Sequence, residues 1–117
     1  MFSLVIPVYN EEKLLSELAG RAIKAVESFA RDYEIIFVDD GSTDNTIGVL
    51  SECKNRYPNL KIIDWKINRG KRHGMAAGFT IAKGEIVIQL DSDSFIHPSG
   101  IRNLVAPFEN PNIGAVC

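Results

Sequence analysis

Two aspartates separated by one residue, Asp91 and Asp93, have the types and spacing that suit metal chemistry. They directly follow the apolar stretch 86–90, and a short aliphatic run of this kind predicts a buried strand. In an open α/β sheet, ligands bind beyond the carboxyl ends of the strands. Paired carboxylates suit Mg²⁺ or Mn²⁺, and these ions in turn bind phosphate oxygens. An acidic surface turn has the same short pattern, so the interpretation depends on what else the chain brings to this place.

A basic segment bracketed by glycine, residues 70–74, is the second candidate. Its Lys71 and Arg72 could neutralise phosphate oxygens, and backbone N–H groups at the start of the following helix could bind the same anion. Alone, this segment would be taken for a solvated basic turn. Beside a carboxylate pair that holds a divalent cation, it favours a diphosphate site.

A third polar group follows another apolar stretch, 34–38, where Asp39 and Asp40 lead into Gly-Ser-Thr-Asp-Asn. These residue types favour turns and helix caps, so one aspartate is expected to cap the turn. The other could accept hydrogen bonds from a base or ribose. A buried acceptor of this kind penalises a base that cannot satisfy it.

The patterning of the chain predicts a scaffold that gathers these groups. Apolar, β-rich stretches predict strands at 2–8, 34–38, 60–65 and 86–90, and a further strand is predicted to begin at 113. Helical periodicity between them predicts a β-α-β-α-β-α-β-α-β order. That order predicts an α/β fold with a mostly parallel sheet and helices on both faces. The polar loops after the first four strands then meet at one edge: 7–10, 39–44, 68–74 and 91–94.

Local patterns refine this scaffold. The stretch 60–65 is more polar than the other strands, which places it nearer a sheet edge. Asn10 precedes two glutamates and a helical pattern over residues 14–29, so it is predicted to cap that helix. Trp65 and Phe79 are predicted to be core residues.

The composition restricts the class of protein. A chain of 117 residues with 45% hydrophobic residues fits one domain, and a formal charge of −2 argues against a nucleic-acid partner. Two distant cysteines indicate neither a disulfide framework nor a zinc site, and favour a reducing, cytoplasmic location. No signal peptide and no membrane-spanning run is evident. Because the sequence stops inside a predicted strand, we expect a piece of a longer protein.

Four segments in order resemble the N-terminal nucleotide-sugar domain of inverting family 2 glycosyltransferases: SLVIPVYNEE, VDDGSTDNT, NRGKRHGMAAGF and GEIVIQLDSDSFIHP. The last two are most similar to the processive branch of hyaluronan synthases, chitin synthases and nodulation chitooligosaccharide synthases. The resemblance covers nearly the whole chain. It implies a single domain over residues 1–117, the Rossmann-like half of a GT-A type fold, truncated before the acceptor part. It also implies a UDP-sugar donor, with UDP-N-acetylglucosamine as a candidate, and a saccharide or lipid-linked acceptor in polysaccharide or cell-envelope glycan synthesis.

The same resemblance implies roles for individual residues. Contacts to the nucleotide sugar would come from Pro7, Tyr9, Asp39, Asp40, Lys71, Arg72 and Asp91. Asp40 would contact the uracil edge while Asp39 mainly shapes the loop, and Asp93 would bind Mg²⁺ or Mn²⁺ with Asp91 as a second candidate ligand. The family's general base belongs to a later motif, so no catalytic residue is assigned within this chain. The parent protein would lie in the cytoplasm or at the cytoplasmic face of a membrane.

Two other functions remain open on the sequence. A non-catalytic nucleotide-binding module would carry the same donor site. A nucleotidyltransferase would also place metal-binding carboxylates on an α/β sheet, but it usually has a glycine-rich basic signature after the first strand, where this chain has Tyr-Asn-Glu-Glu at 9–12. A Walker A loop and a Rossmann G-x-G-x-x-G are both missing from the sequence.

Overall fold

The computed structural model describes residues 1–28 and 31–90, apart from the side chain of Lys71. Strands and helices alternate along these residues, as the sequence predicts. They are β1 (Phe2–Val8), α1 (Leu15–Glu27), β2 (Tyr33–Asp40), α2 (Thr46–Arg56), β3 (Leu60–Trp65), α3 (Lys71–Ile81) and β4 (Ile86–Gln89). Asp91, Asp93, and the predicted helix and strand that follow them lie outside the described residues.

The four strands form one parallel sheet in the order β3-β2-β1-β4. The pairing of β1 with β2 runs from Phe2 opposite Tyr33 to Val8 opposite Asp39. The more polar strand β3 lies at an edge of this sheet, as predicted. The chain winds from β1 through β2 to β3 and then returns past β1 to β4. The winding therefore reverses between β1 and β4, and ligands of such sheets bind in the crevice at that reversal.

One face of the sheet is covered by α1 and α2. Leu4 and Ile6 of β1 and Phe37 of β2 point to this face and are fully buried there, together with Leu15 of α1 and Leu50 of α2. Alternate residues of each strand supply this cluster because successive strand side chains point to opposite faces. The result is the larger apolar core of the chain.

The opposite face is covered by α3. Its buried cluster consists of Val5, Ile36 and Val38. The helix comes very close to the sheet at Gly78, where an added Cβ would lie 2.3 Å from Cγ1 of Val5. A second glycine one turn earlier, Gly74, lies against Val38, with 3.4 Å from an added Cβ to Cγ1. Helices therefore lie on both faces of the sheet, as predicted.

A buried carboxylate joins the amino ends of the strands, at the edge opposite the predicted site. Glu34 of β2 is 2% exposed and accepts hydrogen bonds from the Ser3 hydroxyl (2.8 Å) and the Lys83 amide (2.7 Å). Its second oxygen pairs with the ammonium group of Lys61 on β3. The Ser3 hydroxyl in turn accepts from the Gly84 amide at 2.8 Å. This network fixes the connection between α3 and β4.

Three local predictions were wrong. Asn10 does not cap α1, which begins five residues later with Leu14 at its N-cap and no side-chain cap. The basic segment is not a loop throughout, because α3 already begins at Lys71. Phe79 is 46% exposed and is not a core residue, whereas Trp65 is half-buried against the α3-side cluster.

Candidate functional site at the carboxyl edge of the sheet

The predicted site lies where the strands end. The loops after β1, β2 and β3 all leave the sheet at its carboxyl edge, because the strands are parallel. The amide of Leu90, the residue after β4, donates to the Val5 carbonyl at 3.0 Å. Leu90 therefore lies beside β1, next to the point where the winding reverses, and Asp91 is the next residue in the sequence.

Asn10 connects the loop after β1 to the loop after β2. Its backbone has a φ of 49°, in the left-handed region that asparagine tolerates better than most residues. The Asn10 Oδ1 accepts the Thr43 amide (2.8 Å), the Thr43 hydroxyl (3.3 Å) and the Asp44 amide (3.3 Å). The backbone N–H of Asn10 also donates a hydrogen bond to the Ser42 Oγ at 2.9 Å. We call these contacts the Asn10 clasp.

A second set of contacts continues this connection. The amides of Glu11 and Glu12 donate to the Thr46 Oγ1 (3.0 Å) and an Asp44 oxygen (3.3 Å). The Thr46 hydroxyl and amide both donate to the other oxygen of Asp44. Desolvation by itself would raise the pKa of Asp44, but the hydrogen bonds from Thr46 and Glu12 hold it below its usual value. Asp44 therefore stays ionised and acts as an acceptor within the loops.

Asp39 shapes its own loop. Its side chain is 2% exposed, and Oδ1 accepts the Ser42 amide at 3.2 Å, a local turn of the kind that aspartate favours. This contact matches the capping role expected of one of the two aspartates.

Asp40 fixes the loop after β3. Its carboxylate is 5% exposed, and its two oxygens accept the amides of Arg69 (2.7 Å) and Gly70 (3.0 Å). The same loop is packed tightly against Gly41, where an added Cβ would lie 2.4 Å from the Asn68 nitrogen and φ is 74°. An ionised carboxylate has about four lone-pair sites, so two backbone donors leave room for a ligand donor. Asp40 can hold this loop and still accept an N–H from a base.

The loop held by Asp40 leads directly into α3. Gly70, at the N-cap with a φ of 95°, turns the chain into the helix that begins at Lys71. The first N–H groups of a helix have no intrahelical acceptors and attract anions. Arg72 is exposed in that first turn, and Arg69 stacks over Trp65 at 4.9 Å from the ring centroid. The contacts of Asp40 thus place a basic helix start at the same edge as Asp39 and Asp40.

The remaining predicted residues divide into two groups. Pro7 is buried near Gly74 on the α3 side of β1, and Tyr9 is 45% exposed immediately beyond that strand. Six of the predicted site residues therefore lie at the carboxyl edge of the sheet: Pro7, Tyr9, Asp39, Asp40, Lys71 and Arg72. Asp91 and Asp93 lie outside the described residues.

Carboxylates are the candidate ligands for a divalent metal at this edge. Within residues 1–28 and 31–90, no three Asp, Glu, His or Cys side chains converge on a metal position. Asp39 and Asp40 use oxygens to hold loop amides. Asp91 and Asp93 follow Leu90 directly, and two carboxylates there would be hard oxygen ligands of the type that Mg²⁺ and Mn²⁺ require. The chemistry of the sequence at this point therefore fits a divalent cation.

Comparison with known proteins identifies the family. The model of Glycosyl transferase family 2 matches residues 3–117. The chain belongs to this family. This membership confirms the resemblance at the level of the family.

The curated relatives correct the finer resemblance. The chain is 44% identical over 105 residues to the undecaprenyl-phosphate 4-deoxy-4-formamido-L-arabinose transferase of Edwardsiella ictaluri, covering 88% of this chain and 32% of that protein. It is 44% identical over 108 residues to the protein of the same name from Proteus mirabilis, covering 92% and 33%. The chain thus spans about a third of the length of these relatives. Neither is a hyaluronan or chitin synthase, so these relatives do not support the processive branch.

Solved structures confirm the fold. The mannosyltransferase PcManGT from Pyrobaculum calidifontis, in complex with GDP-Man and Mn²⁺, matches with a TM-score of 0.85 and 27% identity over 97% of this chain and 33% of that one. S. aureus TarS 1-349 in complex with UDP matches with a TM-score of 0.76 and 31% identity over 92% and 32%. The described sheet and helices therefore have the Rossmann-like GT-A fold of these glycosyltransferase structures.

The sequence interpretation missed two contributors to this edge, Asn10 as a connection between loops and Thr46 as a donor to Asp44. The Asn10 contact with Thr43 joins residues 33 positions apart, so local patterning carried no signal for it, whereas Thr46 and Asp44 are near neighbours at the start of α2. For Asn10, a clue was available: the loops after β1 and β2 were already predicted to be neighbours, and both contain polar residues.

None of the helices in residues 1–28 and 31–90 has the length and hydrophobicity of a membrane span.

Proposed function

We propose that this chain forms the donor-binding part of a glycosyltransferase that moves a sugar from a UDP-sugar to a polyprenyl phosphate at the cytoplasmic face of a membrane. The observation that carries the proposal is the placement of Asp40 between the end of β2 and the start of α3. In this proposal, the one buried carboxylate would lie next to both the base and the diphosphate of the donor. The names of the curated relatives support the acceptor, and the UDP complex of TarS supports the donor nucleotide.

The residues of this chain would divide the donor between them. Asp40 would accept an N–H from uracil with a lone pair that the loop amides leave unused, and the exposed ring of Tyr9 would cover the base. The diphosphate would lie at the N-terminal end of α3, near Lys71 and Arg72, where helix N–H groups and cationic side chains favour negative charge. Asp93, with Asp91, would hold Mg²⁺ or Mn²⁺. When bound, the ion neutralises charge on the departing diphosphate.

The proposed acceptor changes what the active site must supply. A sugar hydroxyl must lose a proton as it attacks, which requires a general base within hydrogen-bond reach. A phosphate monoester already carries about 1.5 to 2 negative charges at neutral pH, so its oxygen can attack the anomeric carbon directly. As that bond forms, the bond from the anomeric carbon to the diphosphate breaks, and UDP leaves with the electron pair. A phosphate acceptor therefore needs positioning and charge neutralisation more than it needs a base.

The test is calorimetric titration of this chain with UDP, in Mn²⁺ and in EDTA, for the wild type and Asp93→Asn. We expect wild-type affinity for UDP to be about tenfold or more higher with Mn²⁺ than in EDTA, because the ion would neutralise charge on the diphosphate. Asp93→Asn should lower affinity in Mn²⁺ and change it little in EDTA. Asp32→Asn is the matched control, because Asp32 is exposed at the opposite edge of the sheet.

Three results would contradict parts of the proposal. Equal loss of affinity for Asp93→Asn in both conditions would remove its metal role. Tighter binding of ADP than of UDP would remove the uridine site. A folded wild-type chain that binds no nucleotide would contradict the donor-site proposal as a whole.

A further inference from the structure

The backbone hydrogen bonding that pairs β1 with β2 does not continue into the loops that follow these strands. Backbone pairing between these strands ends with Val8 opposite Asp39, one residue before Tyr9 and Asp40. Beyond that point the contacts between the two loops come from side chains of the Asn10 clasp and of the neighbouring Asp44 and Thr46. The residues proposed to contact the base therefore come just before a connection that is made by side chains.

The clasp depends on the properties of asparagine. A single oxygen, Asn10 Oδ1, accepts three donors that all belong to Thr43 and Asp44. The positive φ of Asn10 is sterically costly for most residues with a Cβ but less so for asparagine. Its side-chain amide is also uncharged, so it adds no negative charge beside Asp44.

We propose that Asn10 is a positioning residue that joins the two loops before the donor arrives and so preorganises the base-binding wall formed by Tyr9, Asp39 and Asp40. The inference rests on the proposed function. Without the clasp, the loop after β1 and the loop after β2 would have to be ordered as the nucleotide binds. Ordering side chains and loops on binding lowers the measured affinity, and preorganisation avoids that loss.

The variant that tests this inference is Asn10→Gly, which removes the acceptor oxygen and tolerates a positive φ. We expect it to bind UDP about tenfold more weakly, or about 1.4 kcal/mol. The loss should be equal in Mn²⁺ and in EDTA, because the clasp orders the base wall and not the metal ligands. A matched control is Asn55→Gly, which removes the same exposed side chain near the far end of α2 and should leave UDP affinity unchanged.

A conservative variant separates positioning from general loosening. Asn10→Asp keeps an acceptor oxygen and tolerates the same backbone conformation but adds a charge. Asn10→Gly should bind uridine about tenfold more weakly than the wild type, whereas Asn10→Asp should bind uridine more tightly than Asn10→Gly does, because its oxygen still accepts the Thr43 and Asp44 amides. These affinities are measured by NMR titration well below the melting temperature of each variant. If Asn10→Gly does not fold, Ser42→Ala removes the acceptor of the Asn10 amide from the other loop and should weaken UDP about threefold.

The outcomes separate this inference from the proposed function. If the wild type binds UDP and Asn10→Gly binds within twofold of it, the clasp has no positioning role. A loss seen only with Mn²⁺, or equally weak uridine binding by Asn10→Asp and Asn10→Gly, would also overturn the inference. If the wild type itself binds no uridine nucleotide, the proposed function fails and the inference fails with it.

Discussion

Replacing the buried carboxylate of Glu34 should destabilise the chain more than any exposed charge would. Glu34 accepts the Ser3 hydroxyl and the Lys83 amide with one oxygen and pairs with Lys61 through the other. These partners come from β1, from the approach to β4 and from β3. Glu34→Ala therefore removes the shared acceptor of three chain segments at once.

The size of the effect follows from what the substitution leaves behind. The Ser3 hydroxyl is fully buried, and a buried donor without a partner costs about 1–3 kcal/mol. The Lys83 amide loses its acceptor as well, whereas the Lys61 side chain, 39% exposed, can be hydrated again. We expect Glu34→Ala to lower the free energy of unfolding by about 2–4 kcal/mol, because the buried Ser3 hydroxyl loses its acceptor completely and the part-buried Lys83 amide adds a smaller loss. Glu34→Gln keeps an oxygen acceptor for Ser3 and Lys83, so it should cost about 1–2 kcal/mol.

Urea denaturation followed by circular dichroism measures these differences. Glu17→Gln is the control, because Glu17 and its partner Arg21 form an ion pair with side chains that are 60% and 57% exposed. An exposed pair of this kind contributes about 0–1 kcal/mol. A Glu34→Ala variant within about 0.5 kcal/mol of the wild type would refute the reasoning, because no uncompensated buried donor could then remain.

Two further predictions concern the same framework. Burial by itself raises the pKa of Glu34, but the hydrogen bonds from Lys61, Lys83 and Ser3 outweigh it and lower the pKa below the ordinary 4.5. The stability that this carboxylate contributes is therefore present above pH 4.5. It is lost as the pH falls through the lowered pKa of the folded state. Urea midpoints measured from pH 7 down to pH 3 should fall less steeply for Glu34→Gln than for the wild type, and parallel curves would contradict this. Gly78→Ala should lower the free energy of unfolding, measured by urea denaturation, by about 1–3 kcal/mol because its Cβ would overlap Val5. Gly20→Ala, with 3.7 Å to the nearest atom, should be neutral or stabilising. A neutral Gly78→Ala would show that α3 can move away from the sheet.

The sequence predicted the strand and helix order because each strand is a short aliphatic run and each helix has a periodic apolar face. Leu4, Ile6 and Phe37 are apolar, and this property both made their strands recognisable and buries them in the core. The polar character of β3 likewise predicted its place at an edge. What failed was local inference about residues whose partners are distant. Asn10 has a typical capping sequence, but its acceptor is used by a loop 33 residues away.

The candidate site shows the same division. Parallel strands require that Asp39 and Asp40 lie at the carboxyl edge with the basic segment, and they do. The sequence did not predict that Asp40 would hold the Arg69 and Gly70 amides, because that contact depends on the path of a loop across two strands. The processive branch was inferred from GKRHGM at 70–75 and DSDSFIHP at 91–98, and segments this short were not enough to separate one branch of the family from another.

The position of a bound nucleotide tests the central claim most directly. A ¹⁵N-labelled chain titrated with UDP and Mg²⁺ reports each backbone amide separately. We predict saturable shifts at the amides of Ser42, Arg69 and Gly70, which donate to Asp39 and Asp40, and none at the amides of Lys83 and Gly84 near Glu34. Shifts confined to the Glu34 edge, or no shifts in a folded chain at millimolar UDP, would contradict a donor-nucleotide site at the carboxyl edge of this sheet.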